Sequence, residues 1–275
     1  MNKLVRKFGI VRRIETDDLE VWVHEGAAPS GQLVVSFSSV GPNPDVVPPV
    51  EFPRLATADG QGHALFIVDK TRSWLNAPGL LERVVAQIEA QVQATGADRV
   101  VTLGNSMGGY NAALIAGFTK VDVALGFSPQ ATVHPDVAGD DLRWPRYRID
   151  IEDHRFEGLH KHLSETCTYI AIYGDRPREA PQFRRFPDAP NTHVVMLPGH
   201  GHGTAFTLKA KNLLGAAVHT AFAGDVDGLL AALGPKLGAV LRRPGQVGLR
   251  DIATKAGAME RAAREAIASG ELHVD

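Results

Sequence analysis

The stretch RVVTLGNSMGGYNAALIA, residues 99–116, decides the fold. Residues 99–103 (RVVTL) form a short, continuously apolar run, the pattern of a strand covered on both faces. Gly104-Asn105-Ser106-Met107-Gly108 fits G-x-S-x-G, with Gly109 as an extra glycine, and residues 107–118 then read as a helix. The pentapeptide alone is a weak signal; the strand before it and the helix after it supply the context. A serine at such a sharp strand-to-helix turn projects its hydroxyl above the sheet from a strained backbone. Small residues at 104 and 108 let the turn pack closely. The helix N-terminus offers backbone N–H groups to developing negative charge, with the Met107 N–H as one donor.

Working outward, short apolar runs alternate with helical patterns. Residues 19–24 (LEVWVH), 32–37 (QLVVSF), 64–68 (ALFIV), 121–127 (VDVALGF), 168–173 (TYIAIY) and 192–197 (THVVML) read as strands. Pro78 suits a first helical turn. Leu81, Val84, Val85, Ile88 and Val92 then share one helical face, and Gly96 is a stop. Residues 204–220 read as another helix. Strands alternating with helices imply an α/β fold with a mostly parallel sheet and right-handed crossovers.

Three segments break this rhythm. Residues 41–53 hold five prolines and read as an irregular loop. Residues 131–165, with Trp144, Pro145 and Tyr147, sit where an α/β enzyme carries a lid-like insertion. From about Gly224 the chain is rich in Ala, Leu and Arg, giving a division into residues 1–222 and a helical extension, 223–275. Within that extension LRDIATKAG, residues 249–257, faintly resembles the start of a helix-turn-helix but reads as a surface helix.

Composition excludes several classes. The chain has 275 residues, 44% hydrophobic and 22% charged, and a net charge of −2, which argues against a nucleic-acid partner. Cys167 is the only cysteine, so no intramolecular disulfide forms and a cysteine-based zinc site is not expected. No stretch is long and apolar enough to span a membrane, and the basic N-terminus lacks an apolar core, so the expected location is cytoplasmic. There is no P-loop and no G-x-G-x-x-G opening a helix, so no cofactor is expected. His200-x-His202 is a conceivable metal pair without evident further ligands, so no metal is expected either. No feature sets an oligomeric state.

Around Ser106 the sequence resembles the α/β-hydrolase superfamily over about residues 19–220. SFSSVG (36–41), DKTRSWLN (69–76), GNSMGGYNAAL (104–114), FSPQ (127–130) and GHGHGTAFTLK (199–209) also resemble hydrolase-like proteins of bacterial surface-polysaccharide loci. The resemblance implies a serine esterase, deacylase or acyltransferase. Its substrate would be a small-molecule or glycan acyl ester.

It also implies a triad in chain order serine, acid, histidine. His202, just before the last helix, fits the histidine better than His200. The superfamily's usual acid position falls on Pro177. That leaves Asp175, which is preferred, and Glu179 as the alternative. The second oxyanion donor falls in Ser38-Ser39-Val40-Gly41, on the N–H of Val40 or of Ser39. Asp69, Trp74, Gln130, His200 and Trp144 are the candidates for substrate contact. The competing reading is a degenerate hydrolase domain acting as a binding or scaffold module.

Overall fold

The computed structural model describes residues 3–27, 31–139, 141 and 143–242. Its strands are β1 (Val11–Glu15), β2 (Leu19–His24), β3 (Gln32–Phe37), β4 (His63–Asp69), β5 (Arg99–Asn105), β6 (Val123–Phe127), β7 (Thr168–Gly174), β8 (Thr192–Leu197) and β9 (Val240–Leu241). They form one sheet in the order β1-β2-β4-β3-β5-β6-β7-β8-β9. The run from β4 through β8 is parallel; β1, β2 and β9 join antiparallel. Every strand read from the sequence is present, because each is a β-branched or aliphatic run buried on both faces. β1 was not read. It is a mostly exposed edge strand of sequence VRRIE, so no apolar run marks it.

The helices are α1 (Lys3–Lys7), α2 (Pro53–Ala56), α3 (Leu80–Thr95), α4 (Met107–Leu114), α5 (Pro145–Arg148), α6 (Ala180–Phe183), α7 (Thr204–Ala210), α8 (Leu214–Phe222) and α9 (Val226–Leu237). One face of the sheet packs α3 through Leu80, Leu81, Val84 and Ile88, together with α4. The other packs α8 and α9 through Ala217, Val218, Ala221, Leu229, Leu233 and Leu237. This is the mostly parallel, helix-flanked sheet that the resemblance implied.

Three boundaries differ from expectation. α3 starts at Leu80 behind a left-handed Gly79, so Pro78 precedes the helix. The 204–220 stretch is two helices, broken where Asn212 takes φ 56°. The chain past residue 222 continues in the same core, through α9 and then β9 paired on β8. Residues 249–257 and the rest of the chain after 242 lie outside the described residues.

The 131–165 insertion is built into the core. Ala131, Val133, Ile151, Phe156 and Leu159 are buried with the α3 and α4 residues. This anchoring fixes where the intervening Arg143 and Trp144 point. Among the described residues, no helix is long and apolar enough to cross a membrane.

Candidate active site

Ser106 stands between β5 and α4 with φ 54° and ψ −119°, an unfavourable backbone for a residue with a side chain. Its amide donates to Phe127 O at 2.8 Å, tying the turn to the end of β6. The glycines allow the turn. A Cβ on Gly104 would meet the carbonyl carbon of Gly108 at 2.1 Å, and one on Gly108 would meet Phe37 O at 2.2 Å. The second contact presses the first turn of α4 against the end of β3. The loop carrying Ser39 and Val40 follows directly. Met107, as the first residue of α4, has no carbonyl within its own helix for its N–H.

The β3 loop is held by its serines. Ser36 Oγ donates to Glu51 O at 2.9 Å, Ser38 Oγ to Pro49 O at 2.8 Å, and Ser39 Oγ to Glu51 Oε1 at 2.5 Å. Glu51 thus holds the Ser39 side chain in the loop that carries both oxyanion candidates. Arg72 Nε donates to Val40 O at 2.8 Å, which turns the Val40 carbonyl outward to the arginine. Burial raises the Glu51 carboxyl to about 7, against the lowering effect of the Ser39 hydroxyl and amide. Neither Glu51 nor Arg72 carries a sequence signal; both become visible only when the proline-rich loop folds back on β3.

Gln130 lies at the serine. Its Nε2 donates to Ser106 Oγ at 3.1 Å, and its Oε1 accepts from Trp74 Nε1 at 2.9 Å. An indole N–H can only donate, so it fixes which end of the Gln130 amide faces the serine. Trp74 is fully buried. It sits in a turn where Arg72, Trp74 and Leu75 all have positive φ. Asp69 holds that turn. Its Oδ1 accepts from Thr71 Oγ1 at 2.6 Å, and its Oδ2 from Ser73 N at 2.9 Å, Ser73 Oγ at 3.1 Å and Leu75 N at 3.3 Å. Burial raises the Asp69 pKa despite these donors. The sequence suggested Asp69 and Trp74 for substrate contact; both are instead buried, and they form the support behind Gln130.

The histidine and its acid come from the next two strand ends. His202 Nδ1 lies 3.0 Å from Glu179 Oε2. A carboxylate only accepts, so the proton belongs on Nδ1 and Nε2 carries the lone pair. Nε2 is buried and has no hydrogen-bond partner among the described residues. Glu179 Oε1 accepts from Arg143 Nη1 at 2.7 Å, and Arg143 also holds Asp141 through Nε and Nη2 at 2.8 and 2.9 Å. Burial pushes the Glu179 pKa up, but His202 and Arg143 outweigh it and hold the carboxyl below its ordinary value. The Trp144 ring lies over His202 with centroids 5.1 Å apart, and Arg143 lies 4.4 Å from the Trp144 ring centre.

Asp175, the preferred acid, is not at the histidine. It is exposed, and its Oδ1 accepts from Gly199 N at 2.7 Å. The physical reason is the tight turn Pro177–Glu179, closed by Glu179 N donating to Arg176 O at 2.8 Å, which swings the later residue inward. His200 points away as well, its Nδ1 2.8 Å from Pro198 O. Arg143 was missed because an arginine inside an insertion has no motif.

Ser106, Gln130, Glu179 and His202 thus follow β5, β6, β7 and β8, four adjacent parallel strands, at their C-terminal edge. No hydrogen bond joins Ser106 to His202 among the described residues; the serine oxygen is instead the acceptor for Gln130. A cleft of about 550 Å³ opens beside the histidine, lined by Arg143, Trp144, Pro145, Arg176, Arg178, Glu179, Gly201 and His202. No group of three or more His, Cys, Asp or Glu able to hold a metal occurs among the described residues.

No family model and no curated protein matches the chain. Solved structures do. The capsule O-acetyltransferase of Neisseria meningitidis serogroup A superposes with a TM-score of 0.56 at 13% identity, covering 77% of this chain and 95% of that one. A further structure of that acetyltransferase, a mutant in complex with CoA, gives 0.52 at 13% identity, covering 74% and 94%. An esterase of Pyrococcus furiosus gives 0.54 at 12% identity, covering 84% and 94%. At such identities the likeness is one of fold, and the fold is that of the α/β-hydrolases.

Proposed function

We propose that the chain is a serine acyl hydrolase or acyltransferase acting through Ser106, His202 and Glu179. The observation that carries this reading is the His202–Glu179 pair, with a buried Nε2 that has no partner among the described residues, at the same sheet edge as the strained Ser106. In the reaction Ser106 Oγ attacks the ester carbonyl while His202 Nε2 takes its proton. Glu179 orients the ring and stabilises the imidazolium. The N–H groups of Met107 and Val40 receive the oxyanion. Collapse breaks the acyl–oxygen bond, and His202 returns the proton to the departing alcohol. Water, or an acceptor hydroxyl in transfer, then attacks the acyl-serine with His202 again as base.

A carbohydrate-linked ester is the substrate class this reading favours. It rests on the polysaccharide-locus resemblance and on the capsule O-acetyltransferase among the fold neighbours. The test is intact-mass analysis after treatment with a fluorophosphonate, followed by product analysis on acetylated and unacetylated glycans. One adduct on the parent chain and none on Ser106→Ala is the expected result. Turnover of simple esters with no effect on any glycan removes the carbohydrate half.

A second reading has one observation in its favour. Ser106 Oγ is engaged by Gln130 rather than by His202, the arrangement of an idle serine in a binding module. Absence of any adduct on the parent chain selects it.

A further inference from the structure

Beside His202 arginines gather at one cleft. Three guanidinium groups line the cleft: Arg143, Arg176 and Arg178. They are not equivalent. Arg143 is satisfied, its charge set against Asp141 and Glu179. Arg176 uses Nε on Gly199 O at 2.9 Å, and its Nη groups have no partner among the described residues. Arg178 makes no hydrogen bond or ion pair there at all. Glu179 is engaged by His202 and Arg143, and Asp175 Oδ1 accepts from the Gly199 amide; neither pairs with Arg176 or Arg178 among the described residues. Two exposed arginines, neither in an ion pair among the described residues, therefore flank Pro177 at the mouth of the cleft.

We infer that this cleft is an anion subsite, and that the acyl compound handled at Ser106 carries a phosphoryl group bound by Arg178 and Arg176. The inference rests on the serine-acyltransfer reading for its link to the reaction; the binding itself does not. Guanidinium is the side chain suited to this ligand, because its planar fork donates two parallel N–H bonds to phosphate oxygens and it stays charged at any working pH. A volume of about 550 Å³ is many times that of a phosphate group. It leaves room for the body of a small molecule between the arginines and the Trp144 face. Because the arginines share the cleft wall with His202, the anion would sit to one side of the reacting ester and hold it in register. Such binding raises the fraction of productive encounters and reads out mainly in KM. The phosphoryl group has two chemical sources, a phosphorylated thioester donor or a glycosyl phosphate acceptor.

The experiment measures inorganic pyrophosphate binding to the full chain by calorimetry, for the parent and for Arg178→Gln. Arg178 makes no side-chain hydrogen bond or ion pair among the described residues, so the variant is expected to fold as the parent does, checked by its Tm. Binding that weakens about tenfold in the variant, and that weakens with salt in the parent, is the expected result. A kinetic arm compares a phosphorylated acyl ester with its dephosphorylated counterpart. The ratio of their kcat/KM values falls about tenfold in Arg178→Gln, through KM. Running that arm with a phosphorylated thioester and with a glycosyl phosphate identifies the source. No pyrophosphate binding, or binding equal in parent and variant, overturns the subsite even if Ser106 labels normally. Failure of Ser106 to label while pyrophosphate still binds strikes the proposed reaction and leaves the subsite standing.

Discussion

Glu179 and Asp175 stand four residues apart and meet different partners, which makes them a sharp test of the acid. Glu179→Gln keeps the shape but removes the charge that stabilises an imidazolium and favours the wrong histidine tautomer. A drop in kcat on the order of a thousand-fold or more is expected. Asp175→Asn lies on the Gly199 amide and is expected to cost less than about tenfold. Steady-state kinetics on any ester that the parent turns over decides it, and the opposite ranking returns the role to Asp175. The sequence showed Ser106 because its turn imposes a local glycine pattern. It favoured His202 over His200 through the position before α7. It could not choose the acid, because the choice depends on the Pro177–Glu179 turn. A second residue-scale test concerns Trp74. Trp74→Phe removes the N–H that orients Gln130 while keeping most of the packing. The rate of Ser106 phosphonylation is expected to fall about tenfold, with a small loss of Tm. A Tm loss with an unchanged labelling rate would mean that the indole only packs.

At the scale of elements, the β3 loop depends on Glu51, whose carboxyl is buried and raised from 4.5 to about 7. A raised acid is one whose protonated form the fold favours. Its stabilising effect is complete below 4.5 and is lost as the pH rises to about 7, on the order of 3 kcal/mol for that interval. Glu51→Gln keeps an acceptor for Ser39 and has nothing to ionise. Between about pH 5 and pH 8 the parent's Tm is expected to fall relative to the variant's, since the titrations common to both proteins cancel in the comparison. Parallel Tm curves for the two proteins would exclude the effect. Glu51 escaped the sequence reading for a physical reason: a glutamate in a proline-rich loop reads as solvated, and only the return of that loop over β3 buries its carboxyl. The Asn212 break between α7 and α8 escaped for a similar one. Both flanking segments are amphipathic at helical spacing, and one left-handed residue leaves that periodicity almost unchanged.

The whole molecule places its reacting groups by putting adjacent strands in parallel, so that loops from distant parts of the sequence meet at one edge. The sequence showed these parallel strands well as segments, since buried parallel strands are the most apolar parts of the chain, but their order in the sheet is seen only in the structure. It placed the end of the main unit less well. The composition shift near residue 222 suggested an appendage, yet the next helix is part of the core. Asp225 caps α9 by accepting from Gly228 N at 2.8 Å, and Gly238 ends it with φ 62°. Between them Leu229, Leu233 and Leu237 recur every fourth residue and are 0%, 0% and 7% exposed. They pack with Val195 and Leu197 of β8, the strand that leads into the His202 loop. Beyond them Arg242 N donates to Val194 O at 2.8 Å, extending the β9 pairing. Removing three buried leucines at about 2–5 kcal/mol each is comparable to the whole stability of a typical domain. A chain ending at Gly224 is therefore expected to be unfolded or aggregated. Leu233→Ala alone should lower unfolding stability by about 2–5 kcal/mol in denaturant titration. Because β8 is the strand released, ester turnover should decline with stability and not before it. A chain ending at Gly224 that keeps the parent's Tm would restore the boundary at 222 and make α9 an accessory.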